Sequence, residues 1–300
     1  MNGVIAMAYG TPETRADLEP YYTHIRRGRP PSSELLAELR ERYDAIGGRS
    51  PLREITDAQA RGLAAALDVG VAVGYKHAPP FIEDAAAELL AAGVEHVAGI
   101  VLAPHYSHMS IGEYAARAAG VLDGRASFAI VRSWATAPGY VEWLAGAVRA
   151  ALARLGPAAV DAEVVFTAHS LPERILATGD PYPGELRATA EAVARAARLE
   201  RWSVGWQSAG RTADPWIGPD ILEVLPRIAA ADASGVVVCP AGFVADHLEV
   251  LYDLDIEAAG AARELGLPFA RTASPNADPR LAATLADAVT PLLAADVGRR

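Results

Sequence analysis

One histidine, one tyrosine and a row of carboxylates carry the most distinctive chemistry in this chain. His169 and Tyr9 each stand directly after a short apolar run. Glu249, Asp253 and Glu257 recur at every fourth position, which places them on one face of a predicted helix although like charges repel at that spacing. Imidazole nitrogen and carboxylate oxygen together suit a borderline divalent cation such as Fe²⁺ or Zn²⁺. The pattern predicts an ion-handling site that is reached along an acidic helix face.

Three blocks of the first half recur, in the same order, in the second half. Residues 7–13 (MAYGTPE) match 167–173 (TAHSLPE), residues 74–78 match 205–209, and residues 100–104 match 236–240. Such internal similarity indicates a duplicated domain. Because Tyr9 and His169 occupy matching points, two facing halves would bring them to opposite walls of one cleft. That geometry suits a flat ligand held between them.

The elements that must position these residues follow from the apolar pattern. Continuous apolar runs alternate with alanine-rich helical stretches, which is typical of a parallel sheet covered on both faces. The predicted strands are residues 3–8, 69–75, 97–103, 128–133, 163–168, 202–206, 235–239 and 268–272. Ligands of such α/β sheets bind beyond the carboxyl ends of the strands, which is where Tyr9 and His169 fall.

The division into domains follows from a break at Pro138 and Gly139. It predicts a first domain of residues 1–135, a second of 136–279, and a C-terminal helix over 280–300 that can pack back on the first domain. Within the domains, three capping patterns predict helix starts: Ser170 with Glu173, Asp246 with Glu249, and Ser50 before a proline at the first helical position.

Composition excludes several classes of protein. A net charge of −10 argues against general nucleic-acid binding. No apolar run approaches the roughly 18–20 residues of a membrane helix, and the N-terminus lacks a signal-peptide pattern, so we expect a cytoplasmic protein without membrane insertion. The single cysteine, Cys239, excludes an intrachain disulfide and a cysteine-held metal cluster. Arginines 26, 27, 29, 40, 42, 49 and 53 form a locally basic stretch that indicates a small anionic ligand.

The remaining histidines leave one alternative open. His105 and His108 could join His247 as the ligands of a zinc hydrolase, although no HExxH motif supports this. His24 and His96 lie in helical or helix-flanking sequence and are interpreted as structural. The absence of a P-loop and of a GxGxxG motif makes nucleotide binding a poor interpretation.

Six segments, in order along nearly the whole chain, resemble the ferrochelatase family. They are residues 8–12 (AYGTP), 21–28 (YYTHIRRG), 43–52 (YDAIGGRSPL), 168–172 (AHSLP), 204–208 (VGWQS) and 242–249 (GFVADHLE). The similarity is greatest to the soluble members of Gram-positive-type bacteria that act on coproporphyrin III. It implies an α/β fold of two similar Rossmann-like domains, each a four-stranded parallel sheet flanked by helices, that face each other across a porphyrin cleft.

The resemblance also implies roles for individual residues. His169 and Glu249 match the metal-handling pair on one side of the porphyrin, and Tyr9 matches a tyrosine on the other side that can bind the product iron axially. Asp253 and Glu257 match an acidic helix proposed to deliver the metal. The residues expected to hold the macrocycle and its propionates are Arg26, Arg42, Tyr43, Ser50 and Tyr114.

The implied reaction inserts Fe²⁺ into coproporphyrin III, giving iron-coproporphyrin III and two protons in haem biosynthesis. Iron is a substrate in this reaction, no iron–sulfur cluster is expected, and the partners are coproporphyrin III and a downstream acceptor of the product. We expect a monomer. An imidazole with a pKa near neutrality could bind the ion or accept a pyrrole proton, and a neighbouring carboxylate could do the same, so the assignment of those steps stays open. Action on protoporphyrin IX and non-catalytic tetrapyrrole binding are the alternatives.

Overall fold

A computed structural model describes residues 1–212 and 214–294. They form two four-stranded parallel sheets, with strand orders β2-β1-β3-β4 and β6-β5-β7-β8. The strands are β1 (Asn2–Ala8), β2 (Gly70–Tyr75), β3 (His96–Val101), β4 (Ser127–Ile130), β5 (Glu163–His169), β6 (Trp202–Gln207), β7 (Val236–Cys239) and β8 (Phe269–Arg271). The predicted two-sheet α/β fold is confirmed, and each predicted strand boundary lies within three residues of the observed one.

Helices cover both faces of the sheets. They are α1 (Leu18–Ile25), α2 (Ser33–Ala45), α3 (Leu52–Leu67), α4 (Ile82–Ala91), α5 (Ile111–Leu122), α6 (Pro138–Leu155), α7 (Tyr182–Ala197), α8 (Ile221–Ala230), α9 (Ala259–Glu264) and α10 (Pro279–Ala294). A π-helix, Val250–Ala258, runs directly into α9. No helix in the described ranges is long and apolar enough to cross a bilayer.

Strand register tests the duplication position by position. Ala8 pairs with Tyr75 and Ala168 pairs with Trp206, so Tyr9 and His169 stand at equivalent points of the two sheets. The third repeat is out of register, because Gly3 pairs with Val97 whereas the equivalent Glu163 pairs with Val236. Val236 therefore corresponds to Val97 and not to residue 100 as predicted. An apolar run can slide along a similar run without losing its pattern, so its letters do not fix the register.

A large apolar cluster joins the two halves. Its fully buried members include Leu63 on α3, Val148 on α6, Leu186 on α7 and Leu285 on α10, together with Phe166 on β5. α10 packs mainly against α3 and α6. Residues 295–300 of the predicted C-terminal helix lie outside the described residues. The shared core means that burial of apolar surface, rather than a few polar contacts, holds the two sheets together.

Two predicted caps are wrong, and the observed bonds explain why. The Ser170 hydroxyl donates to the Ile217 carbonyl oxygen at 2.7 Å, and the 3₁₀ turn that follows begins only after Pro172. The Asp246 carboxylate accepts hydrogen bonds from Arg271 at the end of β8 and from Ser274 and Asn276 in the segment that follows. It is therefore not available to cap a helix. Ser50 was predicted to cap a helix that begins at the following proline, and the structure is one residue away from this. The Ser50 Oγ accepts from the Leu52 nitrogen at 3.3 Å, and α3 begins at Leu52.

Candidate active site

A cleft of about 830 Å³ lies between the two sheets, at the carboxyl ends of their strands. Six of the predicted site residues line it: Tyr9, Tyr43, Ser50, Tyr114, His169 and Glu249. The other four, Arg26, Arg42, Asp253 and Glu257, are not part of the lining. The cleft therefore brings together both predicted walls, with Tyr9 on one and His169 on the other.

The His169–Glu249 pair forms the centre of the second wall. His169 is the last residue of β5, and its Nε2 lies 3.5 Å from Glu249 Oε1. Its Nδ1 lies 2.5 Å from the Ser170 carbonyl oxygen, an acceptor only, so Nδ1 carries a proton. Burial alone would lower the pKa of His169, but the Glu249 carboxylate raises it to about 9. The carboxylate therefore favours an imidazolium at His169, with a pKa above the near-neutral value expected of an ordinary imidazole.

Glu249 lies between two imidazoles. Its second oxygen, Oε2, is 3.4 Å from His247 Nε2, while His247 Nδ1 donates to the Ala245 carbonyl oxygen at 3.0 Å. Burial would raise the pKa of Glu249, but the positive charge on His169 holds it well below its usual range. The carboxylate is therefore ionised and can stabilise positive charge that arrives in the cleft.

The first wall is built around Tyr9. Its ring is 41% exposed and stands 4.6 Å, centroid to centroid, from the ring of His77. Burial, with a contribution from Lys76, lowers the pKa of His77 to about 3, so this imidazole is neutral and contacts His24 through Nδ1 at 3.0 Å. The predicted strand ending at residue 75 puts His77 just beyond β2, but no pattern in the sequence predicts that its ring packs against Tyr9.

Hydroxyl groups make up much of the remaining wall. Tyr43, 3% exposed, has its hydroxyl 3.0 Å from Thr11 Oγ1. The Lys76 ammonium lies 5.3 Å from the centre of the Tyr114 ring and 2.5 Å from a Glu113 oxygen. Such a wall can donate hydrogen bonds to carboxylates and offer aromatic faces to a flat ring.

The acidic face lies behind the cleft and is paired with Arg42. Arg42 Nη2 lies 2.8 Å from Asp253 Oδ1 and 3.4 Å from Glu257 Oε2. Asp253 is 4% exposed and also accepts from the Ser208 hydroxyl. Burial and the charge on Glu249 raise the pKa of Asp253 to about 6. The predicted acidic face exists, and Arg42 lies on it instead of on the cleft wall.

Arg26 is also displaced from its predicted position. Its Nε donates to the Arg29 carbonyl oxygen at 3.3 Å, within the turn that ends α1. Arg27, from the same turn and with a positive φ of 56°, lines the cleft instead. The sequence identified this basic turn correctly, but the direction of each side chain depends on the turn's backbone.

The three histidines of the hydrolase alternative have separate partners. His105 Nε2 is 2.9 Å from Thr189 Oγ1, His108 Nδ1 is 3.3 Å from Asp180, and His247 contacts Glu249. Within residues 1–212 and 214–294, no three His, Cys, Asp or Glu side chains are grouped as a metal site. The structure gives the hydrolase alternative no support.

Two parallel sheets face each other across a cleft that has a histidine–carboxylate pair at its centre. The solved structure of SirB from Bacillus subtilis with Fe³⁺ shares this fold, with a TM-score of 0.65, 12% identity and coverage of 99% of this chain and 98% of that one. The ferrochelatase family model matches residues 1–292. The chain belongs to the ferrochelatase family, as its sequence segments predicted.

Curated relatives within the family match the chain from end to end. A coproporphyrin III ferrochelatase from Anoxybacillus flavithermus is 44% identical over 299 residues, covering 96% of this chain and 95% of its own length. A coproporphyrin III ferrochelatase from Halalkalibacterium halodurans is 43% identical over 302 residues, covering 97% of both.

Proposed function

We propose that this chain inserts Fe²⁺ into coproporphyrin III, giving iron-coproporphyrin III and two protons. The family and the names of its full-length relatives support this substrate. The observation that carries the proposal is the His169–Glu249 pair, with 3.5 Å between Nε2 and Oε1, on one wall of a cleft whose other wall presents Tyr9.

The pair has two tasks in this reaction. Two pyrrole N–H protons must leave the macrocycle, and the ferrous ion must exchange bound water for ring nitrogens. Because Glu249 favours the protonated form of His169, the imidazole must first release its Nε2 proton to solvent. Only then can Nε2 bind the ion or accept a pyrrole proton. An approaching divalent cation favours that loss through electrostatic repulsion. Glu249, held between His169 and His247, stabilises the added charge.

Tyr9 acts from the opposite wall. Its exposed phenol faces the space that the macrocycle would occupy, where its oxygen can serve as the axial ligand of the product iron. Tyr43, Ser50 and Tyr114 bind the macrocycle edge, and Arg26 and Arg42 bind its propionates. These two arginines lie outside the present lining, so their part in the proposal requires them to turn toward the bound substrate.

The acidic face supplies a route for the ion. Asp253 and Glu257 lie on the π-helix that follows Glu249, so a cation released from Glu257 would pass Asp253 before reaching the pair. Oxygen ligands along such a row bind a hydrated divalent ion weakly enough to release it.

Other features of the proposal come from the chain's chemistry. We propose that it works in the cytoplasm as a monomer, passes iron-coproporphyrin III to a downstream acceptor, and holds no iron–sulfur cluster. Cys239 is the one cysteine of the sequence, and burial raises the pKa of its thiol to about 12, which disfavours the thiolate that a cluster needs.

An anaerobic absorbance assay of iron insertion tests the proposal. We expect His169→Ala and Glu249→Gln each to lower turnover by about 10²- to 10⁴-fold, while porphyrin affinity changes by no more than about threefold. Glu142→Gln, which removes one exposed ion pair with Arg149, is the matched control and keeps full turnover. If both cleft variants turned over as fast as the wild type, the assigned roles would be contradicted. If the wild-type protein bound porphyrin but inserted no iron, a carrier function would be favoured instead.

Substrate choice is tested in the same assay. Coproporphyrin III carries four propionates and protoporphyrin IX carries two, so a hydroxyl-lined cleft with Arg27 on its wall favours the former. We expect a higher kcat/KM for coproporphyrin III when the two are compared side by side. A preference for protoporphyrin IX would overturn the proposed substrate and leave the chemistry unchanged.

A further inference from the structure

Gln59 connects the two halves at the wall of the cleft, which it lines. It lies on α3, is 3% exposed, and its Nε2 donates to the Val244 carbonyl oxygen at 3.0 Å and to the Asn276 carbonyl oxygen at 2.9 Å. Both acceptors belong to the second half. Because carbonyl oxygens only accept, the amide has one permitted orientation.

The loop that Gln59 holds is residues 242–247, which leads directly into Glu249. Gly242 lies against the end of β5: its nitrogen donates to the Thr167 carbonyl oxygen at 3.0 Å, and a Cβ there would come within 2.5 Å of Ala168. One end of the loop is therefore fixed beside His169.

Asn276 fixes the middle of the same loop. Its side chain accepts from the Asp246 nitrogen at 2.8 Å and donates to the Asp246 carboxylate at 2.8 Å. Its own nitrogen donates to the Val244 carbonyl oxygen at 2.9 Å, the same oxygen that Gln59 binds. Gln59 is thus the first-half member of a buried network whose other members are all in the second half.

We propose that Gln59 is a positioning residue for iron insertion: by holding loop 242–247 from the first half, it sets the distance between the Glu249 carboxylate and His169. This inference rests on the proposed function. A misplacement of about 1 Å in a catalytic group can lower a rate by as much as 100-fold. Losing the bond to Val244 in this loop and the bond to Asn276, which holds the loop, therefore has a kinetic consequence.

The Gln59 side chain suits a clean experiment. Within the described part of the chain its Oε1 has no hydrogen-bond partner, so the two donated bonds are the only ones a substitution removes. Gln59→Met keeps the length and removes both donors, whereas Gln59→Asn keeps an amide that is too short to reach both carbonyls. Thr284→Val is the matched control, because it removes a bond that is confined to one helix, at a buried residue that does not line the cleft.

In the iron-insertion assay, Gln59→Met is expected to lower kcat by about 10- to 100-fold with the porphyrin KM changed by less than about twofold. Thr284→Val is expected to lower thermal stability and keep kcat. An unchanged kcat in Gln59→Met, or a raised KM with kcat intact, would overturn the inference. If Gln59→Met does not fold, Gln59→Asn is subjected to the same comparison.

A double-mutant cycle separates positioning from general weakening of the fold. If Gln59 acts through Glu249, Gln59→Met costs no further rate in a Glu249→Gln background, whereas with Tyr9→Phe on the other wall the effects multiply. Multiplying losses in both backgrounds would refute the inference. Absence of iron insertion by the wild type would instead refute the proposed function, so the two failures are distinguishable.

Discussion

Arg42 of the first half lies 2.8 Å from Asp253 of the second half, and the two form an ion pair directly behind the His169–Glu249 site. The Arg42 guanidinium also lies 4.4 Å from the centre of the Tyr252 ring. The acidic face is therefore not an open row of carboxylates. An incoming cation meets a positive group that already neutralises Asp253, and it must displace that group.

Removing Arg42 should destabilise the fold. Arg42→Ala leaves Asp253 buried without its partner, and we expect the free energy of unfolding to fall by about 1–3 kcal/mol, less than for a wholly buried pair because the Arg42 side chain is 24% exposed. Urea denaturation at neutral pH measures the change. Arg15→Ala, which breaks an exposed pair with Asp44, is the control and should change stability by no more than about 0.5 kcal/mol. If the free energy of unfolding fell equally in both variants, the Arg42–Asp253 pair would contribute no more to stability than an exposed pair, which would contradict this prediction.

Stability should decline at alkaline pH because of His169. Its pKa in the folded protein is about 9, above the value of about 6.5 for an unfolded chain, so its contribution is fully present below pH 6.5 and is lost as pH rises through 9. Glu249→Gln removes the charge that raises this pKa, and the decline between pH 6.5 and 9 should shrink. Unfolding free energies measured across that range check the difference between the two proteins. Parallel pH curves would show that Glu249 does not hold the His169 proton.

Iron insertion should show the matching pH dependence. Since the His169 proton must leave, we expect kcat/KM to rise with pH up to about 9. In Glu249→Gln the lower pKa of His169 moves this rise to lower pH, although the maximal rate also falls. Anaerobic initial rates between about pH 6 and 8.5 measure the rise. A rate that is flat across this interval in the wild type would contradict deprotonation of His169 as a required step.

The role of Tyr9 can be followed by spectroscopy. Tyr9→Phe removes the oxygen that would bind the product iron, so the absorbance spectrum of the enzyme-bound product should change, with a rate loss of less than about tenfold. Tyr22→Phe, at a tyrosine outside the cleft lining, is the control. An unaltered product spectrum in Tyr9→Phe would eliminate Tyr9 as a ligand.

Local sequence signals predicted most of the fold. Most strands are built on short apolar runs, and that pattern fixes the type of element and its place within about three residues. The predicted helix carrying Glu249 is present, but residues Val250–Ala258 are wound as a π-helix. Polar caps were less predictable because Ser170 and Asp246 find tertiary partners that outcompete the neighbouring backbone. No local pattern could reveal the distant partners Ile217 and Ser274.

Site residues were predictable from the sequence where a chemically reactive side chain stands at the end of a recognisable strand. Tyr9 follows a buried strand and His169 ends one, so their place at the cleft follows from the topology. Arg42 was predicted on the cleft wall, and only the packing of α2 against the π-helix places it on the acidic face. Gln59 was missed because a glutamine within a helix usually faces solvent, and its burial depends on the arrangement of the two halves.

The shared strand order of the two sheets bears on how the two faces of a planar ligand between them can be told apart. Two identical copies of one ancestral half would present the same side chain to both faces of a planar guest, and neither face would be preferred. Here divergence at a single equivalent position has made one face a phenol and the other an imidazole. Under the proposed function, the broken symmetry gives the two faces of the ring different tasks: metal would reach the ring from the imidazole side, and the product would be bound from the phenol side.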